Sequence, residues 1–495
     1  MNNLYKNLKV LASITILATY VSCETIDYEG TNDDPSGPLT PVTSQLLTNA
    51  IANGANSDAN QRGIPYIIND VTPMLYMQQI TQGQYPGASR YNVLTFNYDD
   101  WYTGPLQNLN EIISINEDPE TAVSAISYGD NNNQIAVAKI LKAYYLQYMT
   151  DYWGALPLSE AFMGIDNPQP VFDTQESIYN FLFAEIEEAL ELADTDAPGP
   201  DGDILFSGNM QQWLVFANNL KLTMALRISH VSPTLAKSKF EEAVASGMLI
   251  TSNEDNIEYH YGTDDISDSP WSDRFKTRED YILSRTMVES LRENLDPRLF
   301  EFAEPARDSI SPVTNFPGGI DAGYVGAPNG RVNGNVPSYS FIKSEIIYTV
   351  DFPTPIYTAG QINLSLAEAA LNGWNVGGSS AETLYETGIT ASMEYWGVSD
   401  EDITAYIEEH PFVGINDIAY EKWVALYLNG SEAWAEWRRL DWPILIPSEE
   451  ANDKRIPVRN AYDASISDNN SVNYEAMVSF QGLDNLHTKL WWDVN

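Results

Sequence analysis

The sequence predicts a predominantly all-α fold, and three observations carry that expectation. One segment shows a clean helical stripe, one is apolar nearly all round, and several others fall into adjacent helical pairs. In Thr174–Asp194, Ile178, Phe181, Leu182, Ile186, Ala189 and Leu190 share one face, while Glu185, Glu187, Glu188 and Glu191 lie off it. Asp173 or Thr174 can cap its start, and Pro198-Gly199-Pro200 ends it. Gln134–Met149 has almost no polar face, which predicts a helix buried between others.

The same period predicts helices over about 66–80, 99–115, 210–229, 234–246, 281–294, 361–373, 380–396 and 415–437. Small and aromatic residues recur at helical spacing within them: Ala138, Tyr145 and Tyr148; Ala367, Ala370 and Trp374; Leu384, Ile389 and Tyr395. Paired helices of this kind point to tetratricopeptide-like units stacked into a scaffold, although no strict 34-residue period is present. Two stretches interrupt the pattern, 195–209 and 296–360, the second rich in Pro, Gly and Tyr. Long loops on a helical scaffold are where a ligand-binding face is expected.

The N-terminus predicts export. Lys6 and Lys9 precede an apolar run from Val10 to Val21, about 12 residues against the roughly 20 that span a bilayer as a helix. Small Ser22 and then Cys23 close it, the pattern of a bacterial lipoprotein signal, with Tyr20 in place of the usual Leu. Cys23 is the only cysteine, which excludes an internal disulfide and assigns the thiol to lipidation. Residues 1–22 then form a signal peptide, 23–40 a lipidated cysteine and flexible acidic tether, and 41–495 a single folded domain. The net charge of −43 becomes more negative when the lysines of the leader are removed. Such a field repels phosphate backbones, so nucleic acid is excluded as a partner, and anionic headgroups are repelled too. The lipid is left as the membrane tether.

No catalytic constellation stands out. The four histidines, at 230, 260, 410 and 487, are far apart in sequence, so no metal cluster is expected. There is no P-loop, no G-x-S-x-G and no dinucleotide fingerprint, so no cofactor is expected. Glu432 and Glu436 lie one helical turn apart beside Trp434 and Trp437, but pairing with Arg438 and Arg439 is the simpler reading than a carboxylate pair for glycoside hydrolysis. Asp194, Asp196, Asp201 and Asp203 miss the calcium-loop pattern at Pro198 and Leu205. Binding is better provided for than catalysis. The chain has 29 Tyr and 12 Trp, and flat rings are what sugar faces stack on. Those in polar, loop-like context are the candidate ligand contacts: Trp271 first, then Tyr261, Tyr324, Tyr339, Tyr85 and Tyr91.

An ordered series of phrases carries a family resemblance. It runs from Asp151-Tyr152-Trp153-Gly154-Ala155-Leu156-Pro157-Leu158-Ser159-Glu160-Ala161 through Leu295-Asp296-Pro297-Arg298-Leu299 and Ala367-Glu368-Ala369-Ala370 to Glu421-Lys422-Trp423. It continues with Asn429-Gly430-Ser431-Glu432-Ala433-Trp434-Ala435-Glu436-Trp437-Arg438-Arg439 and ends on Trp491-Trp492-Asp493. In this order the phrases resemble the SusD/RagB-like outer-membrane lipoproteins of Bacteroidetes, nearest the branch that ends in Trp-Trp-Asp. The resemblance implies four tetratricopeptide-like helix pairs with a loop-rich face. It also implies a surface-exposed, lipid-anchored outer-membrane protein that captures oligo- or polysaccharide and delivers it to a SusC-like TonB-dependent transporter. It transfers no binding residue, because the shared phrases hold the scaffold. A peptide-capturing RagB-like receptor and a surface glycoside hydrolase are the alternatives.

Overall fold

The computed structural model describes residues 41–52, 62–93, 95–308, 323–334 and 336–494. The chain divides into two units, Met1–Val42 and Thr43–Asn495, and all that follows concerns the second. The leader, Cys23 and the tether lie outside the described residues.

Among the described residues, four helix pairs make the scaffold: Asn131–Trp153 with Gln175–Leu192, Met210–Arg227 with Pro233–Ala245, Ala359–Leu371 with Ala381–Tyr395, and Ile415–Ala425 with Gly430–Leu440. Helix Met210–Arg227 packs on the first pair and on Ala359–Leu371, which in turn packs on Ile415–Ala425, so the pairs stack in chain order. The expectation of an all-α, tetratricopeptide-like scaffold is met. Helix Asn131–Trp153 is buried along nearly its whole length, as its lack of a polar face requires. Thr174 takes the capping role, accepting from the Ser177 amide, while Asp173 accepts from the amides of Leu158 and Ser159 instead. Glu185, which lies off the apolar stripe, is nonetheless buried and paired at 3.0 Å with Lys139.

Several helices are shorter than their periodicity. Residues 66–80 are two short helices, Ile64–Ile68 and Val71–Tyr76, parted by Asp70, which caps the second, and followed by strand β1, Ile80–Gln82. Residues 415–437 are also two helices: Leu428 takes φ 67 and Asn429 caps the second by accepting from the Glu432 amide. Gly430 is required there, since a Cβ would meet Met74 Cγ at 2.4 Å. After two short strands, β2 at Thr95–Phe96 and β3 at Ile257–Tyr259, the first residues of 281–294 extend as strand β4, Tyr281–Leu283, and Ser284 caps the helix Arg285–Glu293. Antiparallel β1 and β4 pair Ile80 with Leu283 and Gln82 with Tyr281.

The phrases that carried the resemblance meet in the core as a buried ionic network. Arg439 donates to Glu368 and Glu436, and Lys422 reaches the same two carboxylates at 2.9 and 2.8 Å. Arg227 pairs with Glu432 at 2.7 Å and approaches Asp151 and Glu436. Burial pushes the Glu436 carboxyl up, but Arg439, Lys422 and Arg227 outweigh it and hold the group well below the usual carboxylate range. Glu368 is held low in the same way by Arg439 and Lys422. Glu432 goes the other way, raised by burial and by its neighbours Glu436 and Asp151 despite Arg227. Asp151 also accepts from Tyr179, at 2.7 Å, and from the indole of Trp492, at 2.8 Å, which ties the C-terminal phrase to the first helix pair. Arg298 makes a second cluster with Asp296 and Glu421, at 2.6 and 2.7 Å. Glu432 and Glu436, the two carboxylates one turn apart, are therefore each ion-paired with an arginine, Glu436 buried and Glu432 partly so.

Candidate functional site

Four loops converge beside the β1–β4 pair. The Gln82 side chain accepts from the amides of Ala88 and Ser89 and so shapes the turn that follows β1. The Gly83 amide continues the ladder to the Asp280 carbonyl, and the Asn333 amide donates to the Gly83 carbonyl, both within 2.9 Å. Gly83 is tightly fitted, since a Cβ would lie 2.8 Å from Val336 Cγ1. Arg90 Nε donates to the Gly330 carbonyl at 2.6 Å, and Ser448 Oγ donates to the Asn329 carbonyl at 3.1 Å. Residues 83–93, 277–283, 323–334, 336–341 and 443–451 are thereby knitted into one loop-built face.

On that face the six aromatic candidates separate. Tyr85 is 65% exposed, and the Arg278 guanidinium lies 5.1 Å from its ring centroid. Asp280 holds Arg278 at 2.7 Å, so the ring has a charged support. Tyr339 is half-buried. Tyr91 is buried, its hydroxyl accepting from the Ser448 amide and its ring set edge-on to Tyr76. Tyr324 is buried against Phe300, and burial pushes its hydroxyl up to about 12.

The two remaining candidates are buried as well, against the expectation of loop-exposed rings. Trp271 is fully buried in a short helix, Pro270–Phe275, edge-on to Tyr281 with the Arg274 guanidinium 5.1 Å from its ring. The polar run around it reads as a loop, but Pro270 is a helix-initiating residue and the indole is the helix's inward anchor. Tyr261 is also buried: its hydroxyl accepts from Asn69 at 2.6 Å and donates to Thr354 at 3.3 Å. Like Tyr91 and Tyr324, both rings are packed inside, which leaves Tyr85 and Tyr339 as the accessible candidates. The sequence reading missed Arg278, whose partnership with Tyr85 exists only because β1 pairs with β4.

Asp203 of the rejected calcium pattern accepts from the amides of Leu205, Phe206 and Gly208 and from the Trp213 indole. Among the described residues no cluster of His, Cys, Asp and Glu could hold a metal ion. No described helix is long and apolar enough to cross a membrane.

A family model matches residues 35–463, that of the SusD-like proteins described as "Starch-binding associating with outer membrane". The chain belongs to this family. Solved structures similar to the chain include a chitin-binding protein at 26% identity and TM-score 0.74, covering 92% of this chain and 100% of that one. A SusD homologue from Bacteroides fragilis is 22% identical with TM-score 0.75 over 92% and 99% of the two chains. A chitin-binding SusD homologue from Flavobacterium johnsoniae is 22% identical with TM-score 0.71 over 92% and 98%. No curated protein matches the chain significantly.

Proposed function

We propose that this SusD-like protein is a non-catalytic, cell-surface glycan receptor, held at the outer membrane by lipid on Cys23 through the tether 23–40. It captures oligo- or polysaccharide on the loop-built face and passes it to a SusC-like TonB-dependent transporter. The observation that carries the reading is the division of labour between motif and loop. Most of the shared phrases are buried in the ion-paired scaffold, while Tyr85 stands exposed with Arg278 beneath it on the loop-built face. A pyranose presents an apolar face to such a ring, and its hydroxyls can bond the charged and amide groups around it.

The family description and the chitin-binding relative at 26% identity make starch and chitin chains the first ligands to test. Affinity electrophoresis in gels containing soluble starch or glycol chitin reads capture directly. Tyr85→Ala is expected to weaken the retarding polysaccharide by about tenfold, the loss of one stacking contact. Retardation unchanged in Tyr85→Ala would remove the ring from the site. Absence of retardation by every polysaccharide would remove the glycan reading. Sustained release of reducing sugar would overturn the non-catalytic reading.

A further inference from the structure

A second region of the surface, sharing no residue with the loop-built face, has the shape and chemistry of a binding site. A cleft of about 700 Å³ lies among Tyr102, Thr103, Glu160, Phe162, Met163 and Asn469. Another of about 860 Å³ lies among Asn110, Glu117, Lys142, Ser159, Asp173 and Phe181. Ala161 and Phe162 line both, so the two are halves of one groove. Each half alone is within the volume range of a small-ligand site, and the joined length suits an extended chain.

Phe162 divides the groove and is held in an unusual way. Its φ is 64, a left-handed conformation that costs a bulky residue energy and is sustained by its surroundings. Its ring lies 5.6 Å from that of Tyr102, with Lys142 Nζ 5.9 Å from its centroid. Tyr102 begins a single π-type turn, Tyr102–Leu106, a distortion that recurs at functional sites. The Tyr102 hydroxyl is anchored to the Pro157 carbonyl at 2.5 Å, leaving its ring as cleft wall. On the opposite rim, Asn470 and Asn473 staple the backbone at Pro170 and Gln169, both within 2.8 Å.

The polar groups are those that bond hydroxyls. The Asp99 carboxylate lines the cleft with no hydrogen-bond partner among the described residues, and burial and the nearby Asp100 and Asp463 raise its pKa. Glu160 accepts from Asn167 and the Val171 amide through one oxygen, Oε2. In the other half, Glu117, Asp118 and Asp173 face a single cation, Lys142. This balance repels uronate and sulfate groups and admits an uncharged chain.

We propose that the groove centred on Phe162 is a second binding site for a neutral polysaccharide, with pyranose rings stacking on Phe162 and Tyr102 and hydroxyls donating to Asp99. The inference rests on the reading of the protein as a glycan receptor, and it turns one capture point into two. A polymer bridging both is held by avidity rather than by a single strong site.

Met163 lines the groove, is 51% exposed and serves as its own reporter. The full chain is treated with hydrogen peroxide, with and without saturating chitohexaose or soluble starch, and oxidation of Met163 is followed by peptide mass spectrometry. The saccharide that retards the protein in gels is expected to slow Met163 oxidation severalfold, in wild type and in Tyr85→Ala. Phe162→Ala is expected to weaken that saccharide about tenfold. Gln107→Trp, an exposed substitution that fills the cleft without touching the core, is expected to do the same. The groove is overturned alone if a saccharide binds while Met163 oxidises at its free rate, or if Gln107→Trp binds as wild type. Protection of Met163 with unchanged affinity in Tyr85→Ala upholds the groove and overturns the loop-face assignment. Failure of every saccharide to bind overturns both.

Discussion

Substituting Arg439 by Met tests whether the buried network is what the shared phrases are for. The guanidinium is fully buried and donates to both Glu368 and Glu436, at 2.7 Å to Glu368 Oε2 and 2.6 Å to Glu436 Oε2. Its removal leaves two buried carboxylates sharing Lys422, with Arg227 3.8 Å from Glu436. Breaking a buried pair from one side costs about 3–5 kcal/mol, against a typical total of about 5–15 kcal/mol. The sign with pH follows from the depressed carboxyls of Glu368 and Glu436. Their contribution is present above the unfolded carboxylate range and is lost as pH falls through the lower folded values. Arg439→Met should therefore lose most at neutral pH and show a shallower loss of stability on acidification. Urea unfolding followed by tryptophan fluorescence, from neutral pH down to about pH 2, measures both. Glu368→Met added to Arg439→Met leaves Lys422 with Glu436, and should restore about 2 kcal/mol relative to the sum of the single losses. A single-variant loss under about 1 kcal/mol, or strict additivity in the double variant, would refute the reasoning.

Other outcomes follow from the same geometry. Glu432→Gln should flatten the rise in stability between neutral and mildly acidic pH. The raised carboxyl of Glu432 takes up its proton in the folded state first, so its term destabilises as pH rises through the folded value; a wild-type-like slope in urea titrations would contradict this. Trp271→Ala should lower stability by about 3–5 kcal/mol, with glycan affinity of the folded fraction unchanged. Loss of affinity without loss of stability would return the indole to the ligand site. Tyr85→Ala has the converse signature, weaker polysaccharide retardation with an unchanged urea midpoint. Cys23→Ala should release the protein from the membrane fraction while its affinity for soluble saccharide stays the same. Fractionation with immunoblotting, beside gel retardation, checks both halves.

What the amino-acid order determined by itself is the class of the scaffold and the extent of its main helices. Apolar period is a local property, and it survives wherever a helix buries one face or all of them, as in Asn131–Trp153 and Gln175–Leu192. The structural role of Glu436 was legible too, because Arg439 lies three residues away on the same helix. Periodicity did not show the breaks at Asp70 and Leu428–Gly430. There the chain leaves the helix for a cap and a close approach to Met74, and the neighbour that forces it is hundreds of residues distant in sequence. Burial of the loop-like aromatics was likewise a tertiary decision. Trp271 and Tyr261 sit in polar surroundings along the chain, and only the packing of Tyr281, Asn69 and Thr354 around them closes them off from water. Tyr85 looked no different from them in sequence. It stays in solvent where β1 has ended at Gln82, and β4, starting at Tyr281 opposite, sets Arg278 under its ring, a contact between segments that no local pattern encodes.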